Sequence, residues 1–302
     1  MRVGVDLGGT KIEAAALGDD GEILIRRRVK TPREDYEASV QAIGRLVEEL
    51  EAETGAQARV GVGIPGAVSP ATGRIKNANS TWLNGRPLEQ DLERRLGRRV
   101  RLANDANCFA LSEARDGAGT GARVVFGVIL GTGTGGGIAV DGRVLTGPNA
   151  VAGEWGHNPM PWPTASEWPG PRCYCGRTGC LELFLSGPGL AREHLARTGE
   201  TEEAANIARG AERGNEGCRR SLETYASRLA RGLAMVVNLL DPDVVVLGGG
   251  LSNVAWLYQR VPELWRDFVF SDRVDAPLVP PRHGDSSGVR GAAWLWAPDE
   301  AP

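Results

Sequence analysis

Asp6-Leu7-Gly8-Gly9-Thr10-Lys11 stands between two segments patterned as strands, Arg2–Asp6 and Lys11–Leu17. Glycines at such a turn tolerate positive φ, and backbone free of side chains can aim N–H groups at an anion. Thr10 adds a hydroxyl donor. Taken alone, the turn is equally a plain hairpin. A second run, Gly131-Thr132-Gly133-Thr134-Gly135-Gly136-Gly137, falls at the same point of the second half, between β-patterned Arg123–Leu130 and Gly136–Val140. Two such hairpins are expected to hold a triphosphate between them.

Outward from these turns, strands alternate with helices. The first half continues with a strand at Glu22–Val29, an amphipathic helix over Asp35–Glu53, strands at Arg59–Ile64 and Val100–Ala103, and a helix over Asp105–Asp116. The second half diverges into a long insertion, 143–185, then resumes with a helix over Cys218–Leu240 and the buried strand Val244–Leu247. The alternation predicts an α/β protein with mixed sheets flanked by helices. A length of 302 residues suits two lobes. The expected division is 1–117 and 118–287, with an apolar C-terminal helix within 288–302 packing back on the first lobe.

Gly131–Gly136 and Gly61–Gly66 both satisfy G-x-G-x-x-G, but neither opens a helix, so the dinucleotide-binding fingerprint fails. No G-x-x-x-x-G-K-[ST] occurs, which removes the P-loop class. The third cluster, Gly248-Gly249-Gly250, follows an apolar strand, where bare backbone suits a flat adenine ring or a simple tight turn. Glycine is in excess, 42 of 302 residues, and the clustering points to close approach of backbone rather than disorder. A net charge of −3 offers no electrostatic footprint for nucleic acid. The apolar runs are strand-sized, short of a membrane span, and the chain opens on a strand without a leader pattern; no membrane partner and a cytoplasmic location are expected. The basic cluster Arg94–Arg101 reads as the solvated end of a helix and its exit turn.

Asn104-Asp105-Ala106-Asn107 follows a strand and starts a helix, at the carboxyl edge of a sheet. Either Asn104 or Asp105 can cap that helix. A carboxylate there also suits phosphoryl transfer to an alcohol, which needs an acceptor for the hydroxyl proton. Glu154-Trp155-Gly156-His157 precedes Cys173-Tyr174-Cys175-Gly176-Arg177-Thr178-Gly179-Cys180 by a fifteen-residue spacer. His157, Cys173, Cys175 and Cys180 make a complete tetrahedral zinc set with no open position, hence a structural Zn²⁺. Such a knot would fix the flanking Glu154 and Glu182 toward one point, as polyol recognition requires. Cys108 and Cys218 read as small core residues, and His194 and His283 as surface or structural.

In combination these motifs resemble the ROK family of bacterial sugar kinases and regulators over essentially the whole chain. The resemblance implies an actin-like ATPase (ribonuclease H-like) fold, two lobes acting on a hexose and Mg-ATP, and a homodimer. It makes Asp105 the general base. It assigns Asp6, Gly8, Gly9, Thr10, Lys11, Thr132, Gly133, Thr134, Gly135 and Gly248–Gly250 to the nucleotide, and Asn79, Asn104, Asp105, Glu154, His157 and Glu182 to the sugar. The stretches 76–85, 156–159 and 283–288 resemble the fructokinase or manno(fructo)kinase branch, so fructose, with mannose as a secondary substrate, is the expected acceptor. Glucose and N-acetylhexosamine are the alternatives. A regulator of the family would carry an added N-terminal helix-turn-helix, for which this chain leaves no room before its first strand.

Overall fold

The computed structural model describes residues 1–284, 287–297 and 300. Asp285, Ser286, Pro298, Asp299, Ala301 and Pro302, within the 283–288 stretch and the expected C-terminal helix, lie outside them. In chain order the elements are β1 (Arg2–Leu7), β2 (Lys11–Leu17), β3 (Ile23–Lys30), α1 (Tyr36–Thr54), β4 (Arg59–Ile64), β5 (Ala67–Val68), β6 (Ile75–Lys76), α2 (Leu88–Leu96), β7 (Val100–Asn104) and α3 (Asp105–Arg115). There follow β8 (Val124–Leu130), β9 (Thr134–Val140), β10 (Arg143–Val144), α4 (Glu182–Leu185), α5 (Gly187–Thr198), α6 (Ala204–Glu212), α7 (Glu216–Leu240), β11 (Val244–Gly248), α8 (Leu257–Trp265), β12 (Leu278–Val279) and α9 (Ser287–Ala293). The chain divides into two compact units. One comprises Met1–Gly121, Gly137–Ala152 and Arg282–Pro302; the other comprises Ala122–Gly136 and Gly153–Pro281.

The first unit is built on a five-stranded mixed sheet of order β3-β2-β1-β4-β7. β1 pairs antiparallel with β2 and parallel with β4, which pairs parallel with β7. Val3, Val5, Val60, Val62 and Ile64 are buried, and α1 covers one face with Val40, Ile43, Val47 and Leu50 at helical spacing. Asp35 caps that helix by accepting from the Ala38 N–H, and Gly55 ends it at φ 69°. The other face receives α9 on bare backbone. A Cβ at Gly4 or at its register partner Gly61 would lie 1.9 Å from the carbonyl oxygen of Val289 or Ala292 respectively. Gly291 meets α3 in the same way, 1.6 Å from the Cys108 carbonyl. Polar anchors reinforce the contact: buried Glu113 accepts from the Ser287 hydroxyl at 2.7 Å, and Asp116 accepts from Arg290 and from the Trp294 indole N–H.

The cluster Arg94–Arg101 spans the end of α2, its Gly97 cap at φ 67° and the entry to β7. Arg95 binds Glu48 through two hydrogen bonds and Arg98 pairs with Glu51, so these cations bind acids of α1.

The second sheet has the order β10-β9-β8-β11-β12. Within the second unit β11 pairs parallel with β8 and β12, and Val244–Leu247 is buried as its apolar run requires. α7 supplies the long buried wall, from Leu222 through Leu233 to Val237. Among the described residues no helix is long and apolar enough to cross a membrane.

Candidate active site

The first glycine turn closes on itself. The Gly8 N–H donates to the Lys11 carbonyl at 3.0 Å, and the Thr31 hydroxyl donates to the Gly8 carbonyl at 2.7 Å. Gly9, Thr10 and Lys11 are exposed. Neither Gly8 nor Gly9 adopts the positive φ expected of it. Glycine is needed at 8 for clearance instead, since a Cβ there would come within 2.9 Å of the Lys11 carbonyl oxygen. Asp6, the strand residue before the turn, lies in register with Gly63 of β4. Burial, then Asp105, then Glu13, push its carboxyl up to about 7. The like charge of Asp105, at the carboxyl edge of the same sheet, is thus one cause of that rise.

The choice between the two capping residues falls on Asn104. Its Oδ1 accepts from the Ala106 N–H at 2.9 Å and its Nδ2 donates to the Gly66 carbonyl at 3.2 Å. Asp105 is the first residue of α3, half-buried, and its Oδ1 accepts from the same Ala106 N–H at 2.8 Å. Asn79 is exposed in a short loop that Asn84 fastens by bonding both backbone groups of Ala78. The next residue, Ser80, reaches the first glycine turn: a Cβ on Gly9 would lie 3.5 Å from its hydroxyl.

In the second unit His157, Cys173, Cys175 and Cys180 converge, with one donor atom from each lying within 4.8 Å of the others. Cys175 Sγ and Cys180 Sγ are 3.6 Å apart, and Cys173 Sγ is 3.7 Å from His157 Nδ1. A tetrahedron with Zn–S bonds of about 2.3 Å has edges of about 3.8 Å, so the donor set fits zinc. With Nδ1 turned to the thiols, Nε2 is the nitrogen left to carry a proton. It meets the Tyr174 hydroxyl at 3.0 Å. Burial, then Glu182, then Cys173 and Glu154, push that phenol up to about 12, so it stays neutral at physiological pH beside the two acids.

The second glycine loop is built into the segments that flank the metal set. The Trp155 indole N–H donates to the Gly135 carbonyl at 3.0 Å, and the Gly187 N–H donates to the Gly131 carbonyl at 2.8 Å. A Cβ on Gly156 would fall 2.1 Å from the Thr134 carbonyl oxygen. Trp155 itself is buried against Phe126, edge to face at 5.6 Å, and against α7 where Gly232 makes room. Glu182 points back to the loop and accepts from the Thr134 N–H at 3.2 Å. Glu154 and Thr132 are exposed beside these contacts. Gly249, at φ 80°, stands on the backbone of Leu130, where a Cβ would lie 2.5 Å from the carbonyl oxygen. Gly250 opens a four-residue 3₁₀ turn rather than a helix; α8 begins only at Leu257.

Sequence reasoning missed the anchor of the spacer. Glu167 is buried and accepts from Arg228 and Arg231 of α7 at 2.7–2.9 Å, while Arg231 also holds the Trp162 carbonyl. Burial works to raise the Glu167 carboxyl, but the bonds from Arg231 and Arg228 outweigh it and bring it down to about 2. Arg228 and Arg231 sit three apart, on one helix face, amid an otherwise apolar stripe; that was the available signal. His194 is fully buried, with Nδ1 3.0 Å from the Ser221 hydroxyl, so it is structural rather than a surface group.

Fold and motifs together define an ATP-dependent sugar kinase of the actin-like ATPase fold. The chain belongs to the ROK family, whose model matches residues 2–299. It is 41% identical over 299 residues to an N-acetyl-D-glucosamine kinase of Photobacterium profundum, covering 98% of this chain and 99% of that one. Among solved structures it is similar to a ROK hexokinase from Thermus thermophilus, with TM-score 0.86, 33% identity and 97% of each chain covered. It is also similar to a ROK glucokinase from Streptomyces griseus in complex with glucose and AMPPNP, with TM-score 0.80, 30% identity and 97% and 98% of the two chains covered. Kinases of this family use ATP with Mg²⁺.

Proposed function

We propose that the protein transfers the γ-phosphoryl group of ATP to the 6-hydroxyl of N-acetyl-D-glucosamine, giving ADP and N-acetyl-D-glucosamine 6-phosphate. The choice of sugar is carried by the 41% identity, over 98% of this chain, to a relative named for that activity. Fructose, expected from the stretches at 76–85, 156–159 and 283–288, has no counterpart among the relatives above, whereas the N-acetylhexosamine alternative does. The same carboxylates can serve several hexoses, because stereochemical discrimination depends on their fine placement.

Asp105 accepts the proton of the attacking hydroxyl. The assignment is supported by the place of Asp105 at the start of α3, behind the N-cap Asn104, where a carboxylate at the carboxyl edge of the sheet suits acceptance of a hydroxyl proton. Glu154 and Glu182 accept hydrogen bonds from sugar hydroxyls, and Asn104 and Asn79 contribute amide groups. The turn at 8–11 and the loop at 132–135 offer N–H and hydroxyl donors to the phosphates, which need charge stabilisation more than covalent help. Gly248–Gly250 offer bare backbone to the adenine. Mg²⁺ arriving with ATP supplies charge neutralisation on the phosphates, and Asp6 is the carboxylate assigned to it. Zn²⁺, held by His157, Cys173, Cys175 and Cys180, is structural and fixes the segments that bear Glu154 and Glu182.

A coupled assay of ADP release with Mg-ATP over N-acetylglucosamine, glucose, mannose and fructose tests the reading. The highest kcat/KM is expected for N-acetylglucosamine. A clear preference for fructose or glucose would replace the sugar and keep the kinase.

A further inference from the structure

Glu182 makes one contact that recognition of a sugar does not require. Its Oε2 accepts the Thr134 N–H at 3.2 Å, and only the bare Gly133 lets it come so close, since a Cβ there would lie 2.6 Å from the same oxygen. Thr134 is buried, at 6% exposure, and its hydroxyl has no hydrogen-bond partner among the described residues. The loop's carbonyls tie it elsewhere: Gly131 O accepts from the Gly187 N–H, Gly133 O from the Gly131 N–H and Gly135 O from the Trp155 indole N–H. Its Thr134 N–H is therefore a donor that already holds a negatively charged oxygen, and that oxygen belongs to a residue two places beyond the metal-set Cys180.

We propose that Glu182 couples sugar binding to nucleotide binding by occupying part of the phosphate cradle until a sugar draws it away. This rests on the reading of 132–135 as a phosphate loop and of Glu182 as a sugar-binding carboxylate. Without sugar, the carboxylate satisfies the Thr134 N–H and repels an incoming phosphate by like charge. With sugar bound, a hydroxyl donates to Glu182, the carboxylate no longer depends on the Thr134 N–H, and that donor turns to phosphate together with the idle Thr134 hydroxyl. One carboxylate thus serves two competing partners, and the competition makes the two ligands cooperative. Linkage requires the effect to be reciprocal. A consequence is protection of ATP: the nucleotide is held well only when an acceptor is present, so water is a poor substitute for the sugar.

The test is calorimetric titration of the full chain with Mg-AMPPNP, alone and with saturating N-acetylglucosamine, glucose or fructose. In the unaltered protein, the preferred sugar should tighten nucleotide binding on the order of tenfold. Glu182→Gln, nearly isosteric and uncharged, should tighten sugar-free nucleotide binding several-fold and abolish the enhancement by sugar. Glu182→Ala, which removes the group altogether, should do the same. Thr134→Ser, which keeps both the backbone N–H and a hydroxyl, should preserve the coupling. Sugar-free nucleotide affinities of both Glu182 variants within about twofold of the unaltered protein would overturn the proposal. The sugar-free titrations contain no hexose, so a wrong assignment of the sugar shows separately, as a different sugar producing the enhancement.

Discussion

The two glycine loops have nearly the same composition and opposite settings. The first, Gly8–Thr10, is fastened by its own backbone and by Thr31, and Gly9 is open; the nearest atom to an added Cβ there is a serine hydroxyl at 3.5 Å. The second is embedded. A Cβ on Gly136 would lie 2.6 Å from the Trp155 ring and 2.7 Å from the Gly153 carbonyl oxygen, and one on Gly137 would lie 2.2 Å from the Ala106 carbonyl oxygen. A run of glycines therefore has two meanings, access for a ligand or access for the protein's own backbone. Chemistry and stability should separate cleanly in the first setting and stay entangled in the second.

The largest effect expected from that separation is at Asp105. Asparagine there should lower kcat on the order of 10²–10⁴-fold, since an amide cannot take the proton. The melting temperature should hardly move, because Asn104 keeps the cap. Near-normal turnover in Asp105→Asn would remove the base from the mechanism.

Next comes the Glu167 anchor beside the embedded loop's unit. Glu167→Gln leaves buried Arg231 short of its counter-charge and Arg228 with Glu193 alone, and should cost about 3–5 kcal/mol. The folded carboxyl sits lower than an unfolded one, so its contribution is present above the ordinary carboxylate range and fades as pH falls from about 4.5 through about 2. Denaturant titrations of both proteins across that window should converge as the pH drops. A constant gap would argue against the ion pair as the cause.

The loop comparison itself is sharpened by paired substitutions. Gly136→Ala should destabilise by about 1–3 kcal/mol through overpacking. Gly9→Ala should stay within about 0.5 kcal/mol and show its effect in nucleotide affinity instead. Equal stability losses would erase the distinction.

A pH-dependent effect is expected at Asp6. A carboxyl raised to about 7 binds a proton more tightly when folded, so its stabilisation is complete below about 3.8 and is lost as pH rises through about 7. The melting temperature of the ligand-free protein should fall across that range, and Asp6→Asn should flatten the slope. An unchanged slope in the variant would assign the pH dependence to other groups.

What could be read in the sequence was what depends on local pattern. The strands at 2–7, 11–17 and 244–248 follow from short apolar runs bounded by glycine, and α1 follows from apolar residues at helical spacing after Asp35. The candidate metal donors were legible because three of the four sit within eight residues of one another. Long-range contacts left no such trace. Glu182 meets Thr134 across 48 positions and Glu167 meets Arg231 across 64, and neither pairing changes any local periodicity. The role of Gly8 was misread for a related reason. Clearance depends on which carbonyl passes by, and residue type alone cannot tell that from a need for positive φ.

The seat of α9 on Gly4 and Gly61 has a consequence for biosynthesis. The sheet that holds Asp6 is translated first, yet one of its faces is covered by residues 287–293, which the ribosome adds last among the elements described. At about 5–20 residues per second, the interval between completing α3 and adding α9 is on the order of ten seconds. Throughout it, the bare backbone at Gly4 and Gly61 must stay clear of other partners, with no side chain there to stop another strand or helix from docking.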